Sequence, residues 1–169
     1  MAEVIVLTGF MGSGKSTVGR LVADALGLLF VDLDAEIERR EGRSIPRIFA
    51  EGSEADFRRV EGRVLEEVLA AADESGFVLA LGGGTLTQVA ARDALRGRAR
   101  VVFLDTPVEV CWSRARHSQR PLATSEEDFR SLAAGRSTSY RETADITVST
   151  EGLSRGQVAK RVLEAVKRG

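Results

Sequence analysis

The sequence predicts an α/β protein, a parallel sheet wrapped by helices on both faces, and three observations predict it. Apolar strand-like runs alternate with amphipathic helical stretches from end to end of the 169 residues, the order that a doubly covered parallel sheet requires. A glycine-rich turn, Gly9-Phe10-Met11-Gly12-Ser13-Gly14-Lys15-Ser16, joins the first apolar run to the first helical stretch. Finally, the length suits one domain that buries about 70 % of its chain surface, with ordinary hydrophobic (43 %) and charged (29 %) content. No repeat, low-complexity tract or linker divides the chain, so residues 1–169 are read as one domain.

The elements follow from the pattern in order. Val4-Ile5-Val6-Leu7 gives the first strand, and the glycine-rich turn opens a helical period over 15–26. A second strand at 28–31 ends at Asp32-Leu33-Asp34, ahead of a helix at 35–41. The long acidic stretch 54–72 is helical, and the strand at 78–81 runs into Gly82-Gly83-Gly84. Two further strands, 101–104 and 146–148, stand among helices at 107–116, 126–142 and 155–168. Between two of those helices the polar segment 116–127, with Pro121 and several small residues, is where a mobile lid would sit.

The turn fits the pattern G-x-x-x-x-G-K-[ST] in the strand, loop, helix setting that it needs. Glycines let such a loop wind around an anion, so that backbone N–H groups and the helix N-terminus point at phosphate oxygens. Lys15 adds a compact charge for the terminal phosphates, and the Ser16 hydroxyl is placed to ligate Mg²⁺. Lys15 is the only lysine before Lys160 in a chain with 21 arginines, so composition did not choose it.

Ligands of open parallel sheets bind beyond the C-terminal ends of the strands. After the second strand, Asp32 and Asp34 stand one residue apart, and extended backbone would point both into the cleft opened by the loop. One acid near phosphate-bound Mg²⁺ and another aimed at a hydroxyl would divide the labour of phosphoryl transfer. Asp34 is also suited to cap the next helix. After the third strand, the three glycines would let a small substrate lie on bare backbone, or would simply make a tight turn. Arg58, Arg59, Arg120 and Arg136 are candidates for gripping a carboxylate or stabilising a phosphoryl group in flight.

Other features set limits. A net charge of −1 argues against a nucleic-acid binder, because no cationic excess exists to release counterions. No apolar run approaches the ~20 residues that span a membrane, and the chain starts on a strand pattern without a leader signature, so the cytoplasm is the expected location. A single cysteine, Cys111, fits a reducing compartment and reads as helix packing. Tyr140 likewise reads as packing, and His117, the only histidine, as solvated. The chain has no asparagine, so the Asn-Lys-x-Asp signature of a regulatory GTP-binding switch is absent.

Taken in order, these motifs resemble the shikimate kinase family: residues 9–17, Asp32-Leu33-Asp34, Gly42-Arg43-Ser44-Ile45 with Ile48-Phe49, Phe57-Arg58-Arg59-Val60-Glu61, Leu81-Gly82-Gly83-Gly84, Arg120-Pro121-Leu122, and Arg136 with Tyr140. The resemblance implies a three-layer P-loop kinase fold with strand order 2-3-1-4-5, a shikimate-binding segment near 33–61 and a lid near 112–127. It implies transfer of the ATP γ-phosphoryl group to the 3-hydroxyl of shikimate, in chorismate and aromatic amino acid biosynthesis; a monomer is expected separately, since the sequence shows no obvious unmatched apolar helix face. By resemblance, Asp34 would bind ring hydroxyls and polarise the 3-hydroxyl, Arg58 and Arg136 would hold the carboxylate, and Gly82, Gly83 and Gly84 would close on the substrate. Gly12, Ser13, Gly14, Lys15, Ser16 and Thr17 would bind ATP, Arg120 would descend onto the transferring phosphate, and Ser16 with Asp32, through water, would hold Mg²⁺. Arg114 or Arg116 would face adenine. Thr138-Ser139 and Ala123 depart from the family pattern, which commonly has Pro-Leu and leucine there.

Overall fold

A computed structural model describes residues 3–72, 75–117 and 125–169. Five parallel strands, β1 (Val4–Thr8), β2 (Leu29–Asp32), β3 (Phe77–Ala80), β4 (Arg100–Asp105) and β5 (Ile146–Ser149), form one sheet in the order β2-β3-β1-β4-β5. The order expected from the resemblance is therefore the observed one. Register is set by Val4 opposite Phe77 and Ile5 opposite Arg100 on the two flanks of β1.

Because β1 lies in the centre and is covered on both sides, every residue in it is buried and no polar alternation survives. Successive side chains still alternate between the two faces. Val4 and Val6 join one core with Leu79, Phe103, Leu65 and Phe129, whereas Ile5 and Leu7 join a second with Val78, Val102, Val22 and Val162. The second core lies under α1 (Lys15–Leu26) and α8 (Arg155–Arg168), both of which start and stop where their periodicity predicts. The first core is covered by α2 (Leu33–Glu41), α3 (Ile45–Glu51), α4 (Glu54–Ala70), α5 (Val89–Leu95), α6 (Val108–Ala115) and α7 (Glu126–Thr143). Among the described residues, no helix is long and apolar enough to cross a membrane.

Two helices differ from the sequence expectation by being present at all. α3 and α5 are seven residues each, too short to show a clear 3.6-residue period. The first carries start signals nonetheless, since the Ser44 side chain accepts from Arg47 N–H and Pro46 occupies the first turn. The second has no side-chain cap and is half alanine and valine, so little separates it from a loop.

Candidate active site

The phosphate loop lies between the end of β1 and the start of α1, at the C-terminal edge of the central strands. Gly12 has φ 80°, and a methyl group built on it would lie 2.7 Å from the Cys111 carbonyl oxygen. Only glycine fits both the left-handed conformation and the packing of α6 against the loop. Among the described α-helices, α1, α5 and α6 start without a side-chain cap, and of these only α1 opens from the phosphate loop. The helices α2, α3, α4, α7 and α8 each start with an aspartate or serine side chain accepting a backbone N–H. By contrast, α1 starts at Gly14 with no side-chain cap and no acid in its first turn, leaving the positive end of its dipole for an anion.

Lys15 folds back over the loop, its Nζ donating to the carbonyl oxygens of Gly9 at 2.8 Å and Phe10 at 3.0 Å. Desolvation lowers its pKa to about 8, opposed by the nearby charges of Asp34 and Asp32. Ser13 is buried beneath the loop and Thr17 is exposed on the first turn of α1. Arg114, at the end of α6, donates to the Gly12 carbonyl oxygen at 2.9 Å, whereas Arg116 turns outward to His117. Cys111 is buried, its thiol pushed up to about 11, chiefly by burial, consistent with a packing role.

One sequence expectation about the carboxylates needs correction. Asp32 and Asp34 do not share a face of an extended strand, because β2 ends at Asp32 and the helix begins at Leu33. Asp32, not Asp34, is the N-cap, accepting from Ala35 N–H at 3.2 Å. Both still reach the cleft. The Ser16 hydroxyl donates to Asp32 Oδ2 at 2.6 Å, and a methyl on Gly82 would sit 2.9 Å from Asp34 Oδ1. The Ser16–Asp32 pair puts two hard oxygen atoms beside the phosphate loop, and no group of three His, Cys, Asp or Glu side chains gathers anywhere among the described residues. That donor set suits Mg²⁺, which takes one or two protein oxygens and completes its shell with phosphate and water.

Opposite the loop, the Gly82-Gly83-Gly84 turn is the meeting point of the acceptor side. A methyl on Gly83 would lie 3.4 Å from Arg136 Nη1 and 3.5 Å from Met11 N, and one on Gly84 would collide with Arg58 Nη2. Any side chain at Gly84 would displace the two guanidinium groups packed against it. Arg136, from α7, is buried, and Arg58, from α4, nearly so. Their planes lie over the rings of Phe10 and Phe57 respectively. Arg58 Nη1 donates to Glu61 Oε1 at 2.8 Å, and Thr85 Oγ1 donates to Glu61 Oε2 at 2.9 Å. Glu61, 2 % exposed, is thereby held by two donors, as a buried carboxylate must be. Arg58 Nε and Arg136 Nη1 are buried without a protein partner, so the pocket presents cationic donors that an anionic ligand would satisfy.

Glu61 falls within a motif that assigns it no role, and no sequence pattern singles out Thr85. The i, i+3 spacing of Arg58 and Glu61 on one helix was the available signal. Arg59, by contrast, is exposed and paired with Asp56, outside the site. Arg120, Pro121, Leu122 and Ala123 lie outside the described residues.

A P-loop on a 2-3-1-4-5 parallel sheet, facing a second pocket lined by arginines and a carboxylate, defines a small-molecule kinase of the P-loop class. The shikimate kinase family model matches residues 11–167. A shikimate kinase of Halorhodospira halophila is 47 % identical over 167 residues, 96 % of this chain and 93 % of that protein. A solved shikimate kinase from Acinetobacter baumannii, in complex with shikimate, is 40 % identical with TM-score 0.91, covering 99 % of this chain and 94 % of its own. The enzyme from Aquifex aeolicus is 37 % identical with TM-score 0.84, covering 97 % and 96 %. The chain belongs to the shikimate kinase family.

Proposed function

We infer that the chain transfers the γ-phosphoryl group of ATP to the 3-hydroxyl of shikimate, giving shikimate 3-phosphate and ADP on the route to chorismate and the aromatic amino acids. The observation that carries the reading is the convergence of Asp34, Arg58 and Arg136 on the glycine turn, within reach of the phosphate loop. A polyol bearing one carboxylate calls for such a set: forked cations for the carboxylate, one acid for a hydroxyl, and bare backbone for close approach.

Arg58 and Arg136 grip the carboxylate, and Gly82, Gly83 and Gly84 bound the ring. Asp34 accepts a hydrogen bond from the ring hydroxyls and draws the 3-hydroxyl proton toward itself as the oxygen attacks. Gly12, Ser13, Gly14 and Thr17 line the triphosphate path, and Lys15 leaves the Gly9 and Phe10 carbonyls for the terminal phosphates. Ser16, and Asp32 through water, would hold Mg²⁺, which when bound would neutralise charge on the triphosphate. Of the two arginines near the adenine position, Arg114 is the one joined to the loop. Arg120 and the lid expected near 112–127, of which 118–124 lie outside the described residues and the ends belong to α6 and α7, would exclude water from the transferring phosphate. Residues 33–61 form the acceptor-binding part of a single kinase domain. Positioning and charge stabilisation supply most of the rate, with little covalent chemistry asked of the protein.

The protein acts as a cytoplasmic monomer, without nucleic-acid or membrane partners. Supporting this, its net charge is −1, and among the described residues the four large exposed apolar side chains, Leu21, Leu29, Phe49 and Val89, belong to four different elements. The test is ADP release with ATP and Mg²⁺ in the presence of shikimate, of gluconate, and of no acceptor. Acceleration by orders of magnitude with shikimate alone is expected. Equal rates in all three arms would remove the acceptor assignment, and undiminished turnover after chelation would remove the metal.

A further inference from the structure

We propose that Tyr140 is a positioning residue for the acceptor site: from α7 its phenol donates to the Gly83 carbonyl oxygen and fixes the Gly83–Gly84 peptide plane against which the substrate is held. The inference rests on the acceptor reading above and extends it to a residue without a role there.

Tyr140 is 2 % exposed, and its ring lies 5.3 Å, centroid to centroid, from that of Phe103. A phenylalanine would fill the same apolar space, so packing accounts for the ring but not for the hydroxyl. The hydroxyl donates to the Gly83 carbonyl, across 57 positions of sequence. Three consecutive glycines have little intrinsic preference for one backbone conformation, and a peptide plane between two of them turns easily unless something holds it. Both ends of that plane matter. Arg136 Nη1 lies 3.4 Å from where a Gly83 methyl would be, and Arg136 Nη2 lies 3.0 Å from one on Gly84.

Arg136 and Tyr140 are four residues apart on α7, hence on one helix face. One helical turn therefore does two things: it aims a guanidinium into the cleft and anchors the turn that the guanidinium touches. Rotation of the Gly83–Gly84 plane would move a backbone dipole beside both carboxylate-binding arginines, Arg136 at both glycines and Arg58 at Gly84, whereas the phosphate loop meets the turn at Gly83 through Met11 and Gly9. The hydroxyl therefore acts more on acceptor affinity than on nucleotide affinity.

Steady-state kinetics and thermal melts of Tyr140→Phe, Phe103→Leu and Arg136→Ala test this. Tyr140→Phe is expected to raise the shikimate KM about 10-fold, the loss of one buried hydrogen bond, with the ATP KM changed less than about 2-fold. Phe103→Leu disturbs the same packing without touching the carbonyl, and is expected to lower the melting temperature while leaving the shikimate KM near wild type. Arg136→Ala is expected to raise the shikimate KM strongly. If Arg136→Ala acts so and Tyr140→Phe leaves the KM unchanged, or Phe103→Leu raises it equally, the positioning role is overturned and the acceptor reading stands. If Arg136→Ala leaves the shikimate KM unchanged, both are overturned.

Discussion

Around the phosphate loop the ligand-facing groups are largely backbone, whereas the acceptor side is made of side chains drawn from α2, α4 and α7 and closed by a glycine turn. The loop needs only glycines, one uncapped helix and one lysine, and Lys15 rests on the loop's own carbonyls. The acceptor side needs Glu61, Thr85, Arg58, Arg136 and Tyr140 to satisfy or support one another in the interior. Catalytic machinery built from main chain can lose a side chain and keep its fold. Machinery built from buried charges cannot, because each removal strands a partner.

Lys15→Ala sharpens that contrast most. It is expected to lower kcat/KM by about 2–4 kcal/mol of transition-state stabilisation, while stability in denaturant titration stays within about 1 kcal/mol of wild type. Near-normal turnover would dissolve the assignment of the loop as catalytic. Arg58→Ala is expected to behave in the opposite way. It leaves Glu61 buried with Thr85 alone, at a cost of about 3 kcal/mol in folding stability, and raises the KM for shikimate well above any change for ATP. Equal stability loss in the two variants would erase the distinction between the halves.

The smallest effect is a proton. Burial holds the Lys15 pKa at about 8 in the free protein, and a triphosphate alongside would raise it. Above pH 8 the free ammonium is increasingly neutral, so nucleotide binding at pH 9 is expected to take up the better part of one proton. Calorimetry in two buffers of different ionisation enthalpy measures it, and Lys15→Ala should abolish it. For the same reason, folding stability contributed by this group rises with pH between about 8 and 10.5, where the unfolded chain binds more protons than the native one.

How much of this was legible beforehand also divides along the two halves. The loop could be read residue by residue because its chemistry is local, six residues of backbone and a lysine in one contiguous motif. The inner strands β1, β3 and β4 were visible as apolar runs, since burial on both faces removes any competing period, while the partly exposed edge strands β2 and β5 showed only as short apolar stretches. On the acceptor side, strand-end position brought out Asp34 and the three glycines, but the choice of Arg58 and Arg136 and their roles came through family resemblance, because these residues are far apart in sequence and 21 arginines compete for notice. Glu61 gave no hint of burial, sitting in an acidic helix where most carboxylates are solvated. The Asp32-Leu33-Asp34 reading reached the right cleft by the wrong local geometry. The expected cap at Asp34 and the observed cap at Asp32 differ by two residues, the usual margin on a helix boundary read from pattern.

The place of β1 in the sheet has a consequence for synthesis on the ribosome. Val4 waits for Phe77, and Ile5 for Arg100, before either edge of this strand is paired. Until then an apolar ribbon, buried at every position in the finished sheet, emerges with both rows of hydrogen-bonding groups open, a template for pairing with another nascent chain.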